Sequence, residues 1–381
     1  MFLTTDEQEE FRAAVRQMCE DKLAPRAAET DEKAQYPWYA HEAFSAMGLM
    51  GLTFPEECGG SGADHVTWAI CIEEIARVDA SASLIPVISD LAMTPVMRYG
   101  SKEIQKRFMR PICEGLTQAS YCLSEAEAGS DVASMTTRAV RDGDEWVING
   151  RKQWITNAGI SDYYVVFAKT DRSAGHRGIS AFVVEHPTAG FSIGKLEHKL
   201  GIRGSPTGEI ILEDVRVPAE NLIGEEGKGF YYAMGTFDWS RPIIGAQAVG
   251  IAQGALDYAA AYMAERKTFG QPLTSYQGLQ FMVADMAMQT EAARGLVYRA
   301  CAMADSHHPD TTRIASMAKC FAGDVAMKVT TDAVQLLGGY GFTKEFPVER
   351  MFRDAKITQI YEGTNQIQRM VVARKTFGDA R

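Results

Sequence analysis

The residues best suited to acid–base chemistry stand near the C-terminal end, in residues 359–374, QIYEGTNQIQRMVVAR. Glu362 lies between Tyr361 and Gly363, an aromatic ring on one side and bare backbone on the other. Thr364 predicts a helix N-cap, its hydroxyl accepting from a free N–H of the first turn. Ile367, Met370, Val371 and Arg374 follow at helical spacing, the apolar ones on one face. A carboxylate at such a helix start can be held still and partly dried. Desolvation disfavours its charged form and lifts its pKa toward the range of a general base. An arbitrary Tyr-Glu-Gly is more often a surface turn, so the reading depends on the rest of the chain.

Three other stretches bear on it. Residues 121–131, YCLSEAEAGSD, combine hydroxyls (Ser124, Ser130), acids (Glu125, Glu127, Asp131) and a flexible Ala128–Gly129. Backbone N–H groups near Gly129 can approach a flat polar ring or an anion closely. In QWITNA, alternation puts Trp154 and Thr156 on one side of a strand, an aromatic plane beside a hydroxyl that suits a flavin ring. The plainer alternatives are a strand-to-loop transition and a half-buried core Trp. Asp90 interrupts the apolar run SLIPVISDLAM. On a helix it shares a face with Ser83 and Val87, although Pro86 and Pro95 would bend that helix. Asp90 is then either solvated or backbone-bonded, or a buried acid too costly to set beside a plain alkyl chain.

The elements that must position these residues fall into three blocks. Residues 1–120 read as helices, with a capping box at Thr5–Gln8, Phe11, Val15, Met18 and Cys19 on one face, a glycine-rich loop over 55–65, and Ser101 opening a later helix. Residues 121–228 show alternation and β-branched runs, with Asp142–Gly143 and Asn149–Gly150 as turn dipeptides. This predicts an antiparallel β domain, a small barrel or a pair of sheets. Residues 229–381 are helical again, with long segments over 243–266, 276–305 and 311–337 and a last helix after Glu362, which predicts an antiparallel four-helix bundle.

Bulk properties exclude several classes. A chain of 381 residues is too long for one ordinary core. A net charge of −10 argues against nucleic acid as the main partner. No apolar run is long enough to predict membrane insertion, and the acidic start MFLTTDEQEEF resembles neither a signal nor a transit peptide, which predicts a cytoplasmic protein. Seven scattered cysteines, none in CxxC, predict free thiols, and the absence of HExxH argues against a protein-bound metal. There is no GxGxxG and no GxxxxGK[ST], so any nucleotide must bind outside a Rossmann unit or a P-loop.

Taken together, AEAGSDV, QWITNAG, FDWSRP, AERKTFGQP, LLGGYGF and IYEGTNQIQR, in this order and spacing, resemble the acyl-CoA dehydrogenase family over nearly the whole chain. The resemblance implies an N-terminal helical domain, a middle β domain, a C-terminal four-helix bundle and FAD bound without a Rossmann fingerprint. It implies that Glu362 removes the α-proton of an acyl thioester while the β-hydride passes to flavin N5, giving a trans-2-enoyl-CoA. Tyr121, Leu123, Ser124, Gly129, Ser130, Trp154 and Thr156 would wall the flavin. Arg266 and Thr268 would reach the FAD of a neighbouring subunit, with Gln277, Gln335, Gly338 and Gly339 along the dinucleotide and Thr364 and Gln366 beside the base. Ser130, Asp238, Arg241 and Gly363 would surround the CoA thioester.

The family further implies a homotetramer built as a dimer of dimers and an electron-transfer flavoprotein as acceptor. Ala126 and Tyr340 depart from the commonest family pattern in loop shape only, and Ser83 stands where the glutaryl subgroup carries an arginine. Relatives acting on cyclohexane- or cyclohexene-carboxyl-CoA place a second acid in the wall where Asp90 falls, so Asp90 is the second candidate catalytic residue. An oxygen-using flavin oxidase or monooxygenase, or a catalytically silent binding protein on the same fold, are the competing readings. The rate of reoxidation by air and the ability to hold FAD discriminate them.

Overall fold

The computed structural model describes residues 4–378; the first three residues of the acidic N-terminal stretch lie outside it. The chain opens with helices α1 (Asp6–Met18), α2 (Ala27–Lys33), α3 (Trp38–Ala46), α4 (His65–Val78), α5 (Ala80–Tyr99) and α6 (Lys102–Cys113). The Thr5 capping box is formed, with the Gln8 side chain answering the Thr5 hydroxyl, and Val15 and Cys19 are buried. Ser101 caps α6. Helix α5 runs unbroken through Pro86 and Pro95. By length and composition it could cross a membrane, yet 94% of its most apolar 18-residue stretch is buried inside the molecule, and Asp90 is among the buried residues.

A mixed sheet follows, built of β1 (Ala119–Cys122), β2 (Arg138–Asp142), β3 (Glu145–Thr156), β4 (Tyr163–Lys169), β5 (Ile179–Glu185), β6 (Phe191–Leu196) and β7 (Thr207–Pro218). The order is β1-β4-β2-β3-β7-β6, with β5 also on β4. Most pairs are antiparallel, but β1 and β2 each meet β4 in parallel. Asp142–Gly143 makes the expected hairpin turn, Gly143 lying at φ 62°. Asn149–Gly150 does not turn. It is an irregularity inside β3 where the register to β7 shifts, and a Cβ on Gly150 would come within 2.4 Å of the Thr137 hydroxyl. Close backbone approach, rather than a turn, therefore calls for glycine there.

The last block holds α7 (Gly229–Glu265), α8 (Gln277–Asp305), α9 (Thr311–Leu337), α10 (Val348–Ala355) and α11 (Asn365–Phe377). Helix α7 begins well before residue 243 because it continues through Pro242, a residue that in sequence reads as a helix start. Short α10 was not anticipated. The buried faces of α4, α5, α7, α8 and α9 share one apolar core, so α5 and the bundle enclose common ground. The turn before α11, which carries Glu362, reaches into it through Tyr361.

Candidate active site

Glu362 and Gly363 are consecutive left-handed residues, at φ 52° and 87°. For a glutamate that conformation costs on the order of 1–2 kcal/mol, so the surroundings must hold it. Lys319 of α9, fully buried, donates to the Gly363 carbonyl at 2.8 Å and to Asn365 Oδ1 at 3.1 Å. Gln368 donates to both the Glu362 and Gly363 carbonyls, at 3.2 and 3.0 Å. The Tyr361 hydroxyl donates to Gln247 of α7. Thr364 caps α11 by accepting from Ile367 N. The apolar stripe predicted for that helix does not face the core: Met370 is 66% exposed, while Asn365 and Gln368 are buried. Side chains that tie down the Glu362 turn take the inner face.

The Glu362 carboxyl points into the interior. Ser240 of α7 donates to Oε2, and Oε1 is buried without a hydrogen-bond partner among the described residues. Burial pushes its pKa up to about 7, and the charge of nearby Asp90 adds to the rise, against the Ser240 hydroxyl and the cations Arg241 and Lys319. Burial lowers Lys319 to about 8, with Glu362 holding it up. Arg241 is itself buried, shares Asp238 Oδ1 at 3.1 Å, and leaves Nε unpartnered among the described residues. Asp238 Oδ2 accepts from Thr312 at 2.6 Å.

Asp90 is 5% exposed and accepts from the Thr53 hydroxyl. Burial raises its pKa to about 6, against the Thr53 hydrogen bond and nearby His65. The site thus holds two buried carboxyls, each with one hydroxyl donor and each poised near neutrality. Keeping Asp90 ionised carries a cost. The folded form holds its proton to about pH 6 while the unfolded chain ionises near 3.8, so stability falls as pH rises through that window. Asp90→Asn is therefore expected to stabilise the protein by on the order of 2 kcal/mol above pH 7, with the gain vanishing toward pH 4. Thermal melts of both proteins across that range check it.

The predicted cofactor residues gather in two places. On the sheet, the Gln153 N–H of β3 donates to the Ser124 carbonyl at 3.0 Å, so this strand and the loop after β1 run side by side. Beneath them buried Lys152 bonds the Leu123 carbonyl at 3.1 Å and Glu125 at 2.9 Å. Tyr121 packs against Phe167 and Phe237. Gly129 and Ser130 are exposed, and the space above Gly129 is open. The same-side placement of Trp154 and Thr156 by alternation does not apply. Trp154 sits at φ 63° and β3 bulges between Lys152 and Ile155, which inserts an extra residue. The bulge leaves the indole 59% exposed, and Thr156 is half-buried, its carbonyl accepting from Ser120.

The second group surrounds a cavity of about 520 Å³ at the far end of α7 and α9, where Arg266, Thr268, Gln335, Gly338 and Gly339 meet Tyr340. The Arg266 guanidinium lies 5.5 Å over the Tyr340 ring and has no carboxylate partner among the described residues. Gln277 starts α8 beside this cavity without lining it, and Gln366 is exposed on the first turn of α11. None of the sheet residues lines this cavity. An exposed indole ready for a flat ring and an unpaired guanidinium ready for a phosphate fit FAD.

Sequence reasoning missed Ser240, Lys319, Thr53, Gln247 and Gln368. A signal existed for Lys319 and Gln247, since each is a lone polar residue in an alanine-rich helical face. The others are small or ordinary side chains that gain meaning only through tertiary contact.

Comparison with known proteins agrees with this geometry. Family models match in order: "Acyl-CoA dehydrogenase, N-terminal domain" over 5–116, "middle domain" over 120–215 and "C-terminal domain" over 227–377. The chain is 54% identical over 374 residues to the probable acyl-CoA dehydrogenase FadE25 of Mycobacterium tuberculosis, covering 98% of this chain and 96% of the relative. It is 48% identical over 382 residues to cyclohexane-1-carbonyl-CoA dehydrogenase of Geobacter metallireducens, covering 100% of both. The solved butyryl-CoA dehydrogenase of Megasphaera elsdenii superposes with a TM-score of 0.96 at 43% identity, covering 99% of this chain and 100% of the other. With a flavin-ready sheet, an anion-ready cavity and a fold matched from end to end, the chain belongs to the acyl-CoA dehydrogenase family of FAD-dependent enzymes.

Proposed function

We propose that this enzyme dehydrogenates an alicyclic acyl-CoA, with Glu362 as the base for a saturated ring and Asp90 as the base for an unsaturated one. The observation that carries the reading is the pair of buried carboxyls, each bonded to one hydroxyl and each raised toward neutrality. An α C–H beside a thioester is a weak acid, so its removal needs donors on the carbonyl oxygen as charge develops there. The Glu362 N–H has no backbone acceptor among the described residues and serves as one such donor. Glu362, near pKa 7, takes the α-proton at working pH. The Trp154 face, the loop around Ser124 and Arg266 would hold FAD, which would supply the acceptor for a hydride from the acyl group. Arg241 and Asp238 orient the thioester arm at the mouth of the site.

A saturated ring needs only Glu362. A cyclohex-1-ene-1-carboxyl thioester has no α-hydrogen, and there Asp90 takes a proton from C3. The C3–H electron pair becomes the C2=C3 bond, the C1=C2 pair moves to C1=C6, and C6 gives up a hydride. The product is a conjugated diene, the result of a 1,4-elimination.

The separation of the sheet group from the Arg266 cavity supports a cofactor shared between subunits. Phe269 and Phe342, beside that cavity's residues in the chain, are 97% and 88% exposed, aromatic surface that a second copy would cover. A dimer of dimers, a cytoplasmic setting and an electron-transfer flavoprotein as acceptor belong to the same reading, as do three domains divided near residues 120 and 228. The test is anaerobic bleaching of the holoenzyme by a panel of acyl-CoA thioesters. Cyclohexane- and cyclohexene-carboxyl-CoA should bleach the flavin at least as fast as butyryl-CoA. Bleaching by straight chains only would refute the alicyclic assignment.

A further inference from the structure

Gln247 is fully buried in the middle of α7, where its neighbours from Ile243 to Ala252 are all apolar or glycine. An amide in such a place costs free energy unless its polar atoms are met. They are met from two directions. Nε2 donates to the Ser83 hydroxyl at 2.9 Å and to the Ala80 carbonyl at 3.2 Å, and the Ser83 hydroxyl donates to that same carbonyl at 2.8 Å. Oε1 accepts from the Tyr361 hydroxyl. Chemistry fixes this polarity. A carbonyl only accepts, so the NH2 end must face Ala80, which turns Oε1 toward Tyr361 and makes the phenol the donor. Burial raises the Tyr361 pKa well above its ordinary value, so the phenol keeps the proton it donates.

The two ends of the amide belong to two parts of the site. Ala80 and Ser83 lie in the first turn of α5, and two turns on from Ser83 the same face carries Asp90. Tyr361 immediately precedes Glu362. Gln247 and Ser240 stand two turns apart on α7 and so share a face. That face grips the turn twice, Ser240 at the Glu362 carboxyl and Gln247 at the Tyr361 hydroxyl. The left-handed backbone of Glu362 has to be held from both sides. Lys319 and Gln368 hold the carbonyls that follow its Cα. Ahead of it, the Tyr361 N–H bonds the Ile357 carbonyl at 3.1 Å, and the Tyr361 side chain is tied to Gln247.

We infer that Gln247 is a positioning residue for the dehydrogenation: anchored on the first turn of α5, it holds Tyr361, and through Tyr361 the Glu362 carboxyl, in a fixed place relative to the helix that bears Asp90. The inference rests on the reading of Glu362 as the base. Gln247 is neutral, and both ends of its amide are engaged with Tyr361, Ser83 and Ala80. It therefore acts on where the carboxyl stands and not on how basic it is. Misplacing a reacting group by about 1 Å costs on the order of 10²-fold in rate, so a loosened turn has a large effect even though no reacting atom is lost.

The test uses the holoenzyme, Gln247→Met, Tyr361→Phe and the double variant, with stopped-flow bleaching by butyryl-CoA across pH. Each single variant should lower the plateau rate at saturating substrate by about tenfold to a hundredfold, with substrate affinity and FAD content little changed. The acid limb of the profile should keep its midpoint, because the basicity of Glu362 is untouched. The double variant should be no slower than the slower single one, since both break the same link. Ser83→Ala leaves the amide only the Ala80 carbonyl and should show the same kind of loss in smaller measure. A merely structural role would instead lower FAD content and melting temperature and multiply the two losses, and that result overturns the inference. A displaced acid limb with an unchanged plateau, or parent-like bleaching in both single variants, overturns it too. Should Gln247→Met fail to fold, Tyr361→Phe, which deletes one oxygen, carries the same expectations. Glu362→Gln run alongside separates the two claims: if it bleaches normally the base assignment has failed, whereas if it alone is impaired the positioning role has failed.

Discussion

Glu362→Gln is expected to lower turnover of butyryl-CoA and cyclohexane-carboxyl-CoA by about 10²–10⁴-fold, the range typical for loss of a general base, with the loss toward the upper end. The reason lies in what the carboxyl is asked to do. As the proposed base it must be ionised to accept the α-proton, yet its partly dry pocket holds the pKa near 7, so the proton would be gained at little cost. Glutamine keeps the shape and can still accept from Ser240, but it offers no basic oxygen. The Glu362–Gly363 turn should survive, since Lys319, Gln368 and Asn365 hold it through backbone carbonyls and neighbours rather than through the carboxyl. FAD content and the melting temperature should therefore stay close to those of the parent enzyme. Stopped-flow bleaching measures the effect, and near-normal bleaching by the glutamine variant would remove Glu362 from its role.

Asp90→Asn carries the second large effect, and it is selective. On cyclohex-1-ene-1-carboxyl-CoA the loss should again be about 10²–10⁴-fold, because on this reading Asp90 is the base that receives the ring carbon's proton. On butyryl-CoA the change should be small, and removing a negative charge near Glu362 should lower that residue's pKa, moving the acid limb of the butyryl-CoA pH profile to lower pH. The two variants thus cross: the first spares the unsaturated ring, which has no α-hydrogen, and the second spares the straight chain. Equal losses on both substrates in Asp90→Asn would mean that it only supports the wall.

Much of this was legible in the sequence because the signals are local. The Thr364 cap, the Thr5 capping box and the Asp142–Gly143 turn depend on neighbours in the chain, and all three form. Where tertiary packing overrides local preference, the sequence misleads. Pro242 reads as a helix start but lies within α7, and Pro86 and Pro95 leave α5 continuous, because burial against the core compensates for lost backbone bonds. Trp154 shows the converse. Strict alternation gives its side of the strand wrongly, since a bulge and a left-handed residue turn the indole outward, and that departure makes it available to a flat ring. The role of Gln247 escaped notice for a plainer reason. Its partners Tyr361 and Ser83 lie 114 and 164 residues away, and no spacing rule links them.

The claim that Asp90 is the base for an unsaturated ring is tested most directly by following hydrogen in a single product. Cyclohex-1-ene-1-carboxyl-CoA deuterated at C3, and a second sample deuterated at C5, are each oxidised by the holoenzyme, and the diene is analysed by mass spectrometry. The account predicts loss of one deuterium from the C3-labelled substrate and full retention from the C5-labelled one, the mark of a 1,4-elimination with Asp90 at C3. Loss of deuterium from C5 instead, or failure to oxidise this substrate, would contradict it.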